Sequence, residues 1–212
     1  MNNITFQPGN LDHLVVTTTD LAQACDEFES RLGVRPEVGG KHPQFGTHNA
    51  LVALGGSAYL EVIAIDPDAG AQAVDYPFTL ATETTTRIRT FAAHPGDLTA
   101  VVEDLRRLGV DVGEVGPGSR TTPDGTVLNW LLTAPLAAGE HGLVPFLIDW
   151  QGGPSPAETI GPAVRLTAWG GSHPDPASIR TALELLGVPL EVGQGPAGLW
   201  VELTGPAGSW RL

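Results

Sequence analysis

The sequence predicts an α+β chain of repeated βαβββ modules, two of them forming a curled sheet cup and the third a degenerate, truncated copy. The first observation behind this is a four-part pattern that recurs three times: an Asp, an amphipathic stretch, Leu-Gly-Val, then Glu-Val-Gly. It is written as "DLAQACDEFESRLGVRPEVGG" from Asp20, "DLTAVVEDLRRLGVDVGEVGPG" from Asp97 and "DPASIRTALELLGVPLEVGQGP" from Asp175. The second is composition: 27 Gly, 18 Pro and 42% hydrophobic residues suit short elements and tight turns better than long helical bundles.

Each module opens on a strand and a helix. "LDHLVV", "RIRTFAA" and "AVRLTAW" read as first strands. Asp20, Asp97 and Asp175 can then cap the free N–H groups of a first helical turn, with Pro176 at a first helical position. Gly33, Gly109 and Gly187 supply left-handed stops. In the middle copy Leu98, Val101, Val102, Leu105 and Leu108 fall at helical spacing, so one face lies on a sheet and Glu103, Asp104, Arg106 and Arg107 face water. Three strands follow each helix: "RPEVGG", "HNALVALG" and "AYLEVIAI"; "VDVGEVG", "TVLNWLLT" and "LVPFLIDW"; "LEVGQ", "LWVELTG" and the short "SWRL". The modules are assigned to residues 10–66, 87–151 and 163–212, separated by the connector 66–86 and the Gly/Pro linker "QGGPSPAETIGP".

The totals exclude several functions. With 11 Lys and Arg against 24 Asp and Glu, the net charge of −13 opposes binding to nucleic acid or to anionic membrane. Cys25 is the single cysteine, so no internal disulfide or cysteine metal cage forms. "MNNITFQPGN" lacks a basic region followed by an apolar run, and a cytoplasmic, soluble protein is expected. The truncated "SWRL" end leaves a sheet edge that the second copy of a homodimer can cover.

Alternation in the first strand groups Leu11, His13, Val15 and Thr17 against Asp12, Leu14, Val16 and Thr18. In the fourth strand Tyr59, Glu61, Ile63 and Ile65 share a face. His13 and Glu61 are thus expected together on the concave wall. A carboxylate there needs compensation for lost hydration. Either a His–Glu hydrogen bond or a divalent ion (Zn, Fe, Mn, Ni or Co) provides it.

A strand-helix-three-strand module with His in "DHLVV" and Glu in "YLEVIAID" resembles the vicinal oxygen chelate superfamily. Within it, "KHPQFGTHNALVALGGSAYLEVIAID" followed by "VPFLIDW" is similar to the glyoxalase-like domain family over residues 10 to 150, and the rest more loosely. The resemblance implies paired modules whose cup binds a divalent metal that chelates two neighbouring oxygens of a small organic molecule. It implies a lyase, isomerase or dioxygenase, with His13 and Glu61 as metal ligands. The second module lacks a matching imidazole. Counting back from the capping Asp places Thr90 where the first module has His13, and aligning "YLEVI" on "PFLID" sets Leu147 opposite Glu61, with Asp149 the remaining carboxylate and a further candidate ligand. His94 shares the Thr90 strand face if that strand extends to it. A metal-free protein that sequesters a small molecule in the same cup is the alternative, favoured by the missing imidazole.

Other candidates surround this pair. His42 and Asn49 lie near the mouth if the loop after the second strand folds over, His42 for proton transfer together with Glu61 and Asn49 for ligand contact. His48 reads as surface. Tyr59, Trp130 and Trp150 would wall the ligand pocket. "GPGSRTTPDG" lacks the lysine and strand-to-helix setting of a phosphate loop.

Overall fold

Two antiparallel strands, β1 (Leu11–Thr17) and β5 (Arg87–Ala93), join the two halves of an eight-stranded closed barrel. The computed structural model describes residues 9–70, 76–134, 142–161 and 163–212. Most of the opening decapeptide, the middle of the 66–86 connector, the stretch before "LVPFLIDW" and Pro162 lie outside the described residues. β2 (Glu37–His42), β3 (Thr47–Gly55) and β4 (Ala58–Ile65) complete the first half; β6 (Val115–Thr121), β7 (Val127–Thr133) and β8 (Phe146–Asp149) complete the second. Around the barrel the order is β1-β4-β3-β2-β6-β7-β8-β5.

In each half the first and fourth strands pair in parallel, β1 with β4 and β5 with β8, because a helix carries the chain back between them. The halves meet again at β2 and β6, where Lys41 pairs with Thr121. Gly40 makes this approach feasible: a Cβ there would collide with the Thr121 carbonyl, and its φ of 149° suits glycine.

The helices α1 (Leu21–Leu32) and α2 (Leu98–Arg107) form for the reasons the sequence gives. Asp20 accepts the Gln23 N–H and Asp97 that of Ala100, each at 3.0 Å. Gly33 ends α1 in the left-handed region at φ 73°. Leu98, Val102 and Leu105 of α2 are buried, whereas Leu108 is 45% exposed, since the helix ends one residue before it. The third helix, α3 (Ala177–Leu186), starts differently from its expectation. Pro176 is its flanking residue and no side chain caps it, and the Asp175 carbonyl instead lies 2.7 Å from His173 Nδ1.

β9 (Arg165–His173), β10 (Val192–Gln194), β11 (Gly198–Gly205) and β12 (Gly208–Arg211) form a separate sheet in the order β10-β9-β11-β12. Its first strand pairs with its second and third, not with its fourth as in the barrel halves. The four-residue β12 lies on the far side of β11, where Trp210 packs edge-on against Phe28 of α1 at 4.9 Å and Arg31 stacks over its ring. The sheet and α3 cover the convex side of the barrel, with Trp169 against Phe91 at 5.2 Å. Phe28, Leu32, Phe91, Leu105, Leu183 and Leu203 belong to this outer core, and burying each such side chain stabilises the fold by about 1.5–3 kcal/mol. A second, smaller core fills the barrel itself and includes Val15, Ile63, Leu132 and Ile148.

The second part of the connector packs Phe78 and Leu80 into the inner core of the barrel. A 3-10 turn, Pro77–Thr82, carries Phe78 and Thr79 at φ 58° and 57°, a strained setting for side chains of this size. It drives Phe78 inward to within 5.6 Å of the Phe146 ring. Glu83 anchors the turn's exit. Burial would raise its pKa, but hydrogen bonds from Thr17, the Thr84 N–H and Arg87 hold it at about 2, and Arg89 adds a 2.7 Å ion pair. Among the described residues no helix is long and apolar enough to cross a membrane.

Candidate functional site

The inner core surrounds a polar patch placed by strand periodicity. His13 on β1 and Glu61 on β4 both point into the barrel, their Nε2 and Oε2 atoms 3.7 Å apart. β1 and β4 are parallel neighbours with Val15 beside Glu61 and Tyr59 beside His13, so Tyr59 stacks on the imidazole at 4.6 Å. Phe146 meets the same ring edge-on at 5.4 Å.

Strict alternation fails at the start of β1. The pairing with β5 shifts register between Leu11 and His13, and this irregularity places Leu11 in the outer core with Leu14 and Val16 instead of on the concave wall. Asp12, expected on the helix side, is 3% exposed and lies beside His13. One carboxylate oxygen is 2.7 Å from His13 Nδ1; the other accepts the Trp150 indole N–H at 2.9 Å. Half-exposed His94 lies outside this pair, its Nδ1 3.7 Å from Asp12.

Glu61 has its own support. Asn49 Nδ2 donates to Oε1 at 2.5 Å, and His42 Nε2 stands 4.0 Å from the same oxygen. His42 is not in an exposed loop: it ends β2, is 6% exposed and places Nδ1 3.0 Å from the Thr47 hydroxyl. Burial lowers its pKa to about 4, with Glu61 opposing and Arg120 reinforcing the shift. Burial likewise pushes the Tyr59 phenol well above its usual range. Half-buried His48 stays outside the cavity.

The cavity in front of these groups has a volume of about 60 Å³, enough for a few waters or an ion with part of its shell. Trp130 and Trp150 wall it, their rings 5.3 Å apart, and Trp130 lies over β6 where Gly118 leaves space for the indole. Asp149 is not part of it. Its register partner is Leu131 and its carboxylate accepts the Gln151 N–H at 2.8 Å, so it stabilises the turn after β8. The antiparallel register of β1 and β5 pairs Val15 with Thr90 and His13 with Ala92, which makes Thr90 the counterpart of His13. Ala92 then pairs with Phe146 as Val15 does with Glu61, so Phe146, and not Leu147, is the counterpart of Glu61. Leu147 faces the outer core. Asp12 and Arg120 were missed by sequence reasoning. The first depends on the irregularity in β1, and the second sits in the Gly-rich run weighed only as a phosphate loop, which forms β6.

The donor set suits a divalent ion at two points. His13 Nε2 and Glu61 Oε2 are too far apart for a hydrogen bond, yet two ligands of one tetrahedral ion stand about 3.4 Å apart. Asp12 fixes the imidazole from behind, the support that metal-binding histidines usually have. Among the described residues no three His, Cys, Asp or Glu side chains converge as ligands.

The family model described as a glyoxalase-like domain matches residues 11–187. No curated protein matches the sequence. A hypothetical protein from Staphylococcus aureus superposes with a TM-score of 0.62 at 15% identity, covering 95% of this chain and 84% of its own. Methylmalonyl-CoA epimerase from Mycobacterium tuberculosis gives 0.41 at 22% identity over 70% of this chain and 90% of its own. A variant Streptomyces coelicolor methylmalonyl-CoA epimerase in complex with 2-nitronate-propionyl-CoA gives 0.45 at 18% identity, over 71% and 100%.

Proposed function

Because the chain belongs to the glyoxalase-like domain family, we propose that its barrel cavity is a divalent-metal site of the vicinal oxygen chelate kind, acting on a small oxygen-bearing organic molecule. The observation that carries this reading is the Asp12–His13 pair aimed at Glu61 across 3.7 Å. His13 and Glu61 would hold the ion, which when bound acts as a Lewis acid that stabilises negative charge on substrate oxygen. Asp12 keeps the His13 proton on Nδ1 and leaves Nε2 free as a donor atom. Asn49 fixes the Glu61 carboxylate through Oε1, so that Oε2 faces the cavity. His42, unprotonated at neutral pH, is placed to accept a proton from a bound molecule. Trp130, Trp150 and Tyr59 exclude water and shape the space.

A second reading, a metal-free binder of small molecules, draws support from Thr90 and Phe146, which put neither an imidazole nor a carboxylate at the positions matching His13 and Glu61. Metal analysis of the purified chain separates the two. Stoichiometric divalent metal, reduced to trace in both His13→Ala and Glu61→Ala, is the expected result. A metal-free chain that takes up no added Zn, Mn, Fe, Ni or Co at micromolar concentration overturns it in favour of the binder.

A further inference from the structure

We infer that the molecule taken into the cavity carries a carboxylate, and that Arg120 on β6 receives it. Arg120 is 5% exposed, and its guanidinium makes one hydrogen bond, Nη1 to Asn49 Oδ1 at 3.4 Å. Among the described residues no carboxylate pairs with it directly; Glu61 is reached only through the Asn49 amide. A cation in this position has lost most of its hydration and gained one long bond to a neutral group, and its remaining N–H donors, which make no hydrogen bond among the described residues, are left to the cavity and groove that it lines. Such a group is retained at a cost unless something else supplies the acceptors.

Space has been kept for the fork. A Cβ at Gly39 would collide with both Arg120 Nη1 and the Asn49 side chain, so the bare backbone of β2 lets the guanidinium lie flat beside the cavity. Arg120 lines the inner cavity and also a wider outer groove of about 500 Å³ that runs past Leu51, Leu128 and Ile160. A ligand can therefore place an acid group at Arg120 and its reacting part toward His13 and Glu61, with any larger substituent in the groove. The planar fork matches a carboxylate bidentately. A phosphate dianion suits the site less well, since Glu37 and Asp124 line the groove and Glu61 lies one amide away.

This inference rests on the cavity being the reaction site proposed above, but its test does not read metal. Pyruvate and pyruvamide have nearly the same shape and differ in the charge that Arg120 would sense. Titration of each into the ¹⁵N-labelled full chain, treated with EDTA and separately loaded with Zn, is followed at the indole N–H signals of Trp130 and Trp150. In both states pyruvate is expected to shift these signals at least tenfold more tightly than pyruvamide. Arg120→Gln should abolish that preference, and Arg120→Lys, which keeps charge without the fork, should restore only part of it. Equal binding of acid and amide, no binding of either at tens of millimolar, or an unchanged preference in a folded Arg120→Gln chain overturns the inference. Should the chain hold no metal yet discriminate pyruvate through Arg120, the metal reading fails alone; a metal-loaded chain without discrimination has the reverse meaning.

Discussion

The two halves of the barrel share a strand plan but not an interior. β1 to β4 supply His13, His42, Asn49 and Glu61 to the cavity, whereas β7 and β8 supply Trp130, Leu132, Phe146 and Ile148. Arg120 is the ionisable side chain that the second half adds to this lining. Repeating a backbone twice therefore does not repeat its chemistry. One wall carries polar groups whose lost hydration must be compensated, and the other surrounds them with an apolar, aromatic medium that strengthens every electrostatic contact between them.

The strongest way to break this asymmetry is Phe146→Glu, which puts a second carboxylate opposite the first. Without metal it is expected to destabilise the chain by about 3–5 kcal/mol, as an unpaired buried charge does. Added Zn should recover most of that loss, both effects being read by chemical denaturation with EDTA and with Zn.

The polar half should also carry a pH response. His42 has a folded pKa of about 4 against an ordinary 6.5, so between those values the unfolded chain takes up a proton that the folded chain refuses. Stability attributable to His42 is complete above pH 6.5, falls as the pH drops and levels off below 4, a total of about 3 kcal/mol. Denaturation of native chain and His42→Gln at pH 7 and 4.5 isolates it: the variant should lose less stability over that interval.

A smaller change sharpens the comparison from behind. Asp12→Asn removes the charge that orients His13 and should weaken metal binding by about 10–100-fold, measured by calorimetric titration, while Thr90→Ala, at the position that matches His13 in the second half, should not alter it. Smallest of all is Asp149→Asn, whose half-exposed carboxylate serves a turn. Metal content should be unchanged and stability should shift by about 0.5 kcal/mol or less in thermal melts.

Much of this architecture can be read from the chain, because it depends on local periodicity. The caps at Asp20 and Asp97, the stop at Gly33 and the shared wall of His13 and Glu61 follow from helical and two-residue spacing. What escapes depends on register or on distant packing. The irregularity after Leu11 turns Asp12 toward His13, and a one-residue error moves the counterpart of Glu61 from Phe146 to Leu147. Asp149 follows a strand pattern correctly and still ends in a turn, since β8 stops there. Arg120 lies among glycines and threonines that resemble a loop, and only the fold brings it against Asn49, 71 positions away. The third unit has the expected order of elements, but its short last strand leaves β9 to pair with β11.

The junction between β2 and β6 has one ladder pair among the described residues, Lys41 with Thr121, beside which Gln44 Nε2 donates to the Ser119 carbonyl at 2.6 Å. Arg120 is the immediate chain neighbour of Thr121 and faces both the enclosed space and the outer groove. A seam this short in paired residues keeps a positive charge where the enclosed space and the outer groove come together, so both are reached from one guanidinium.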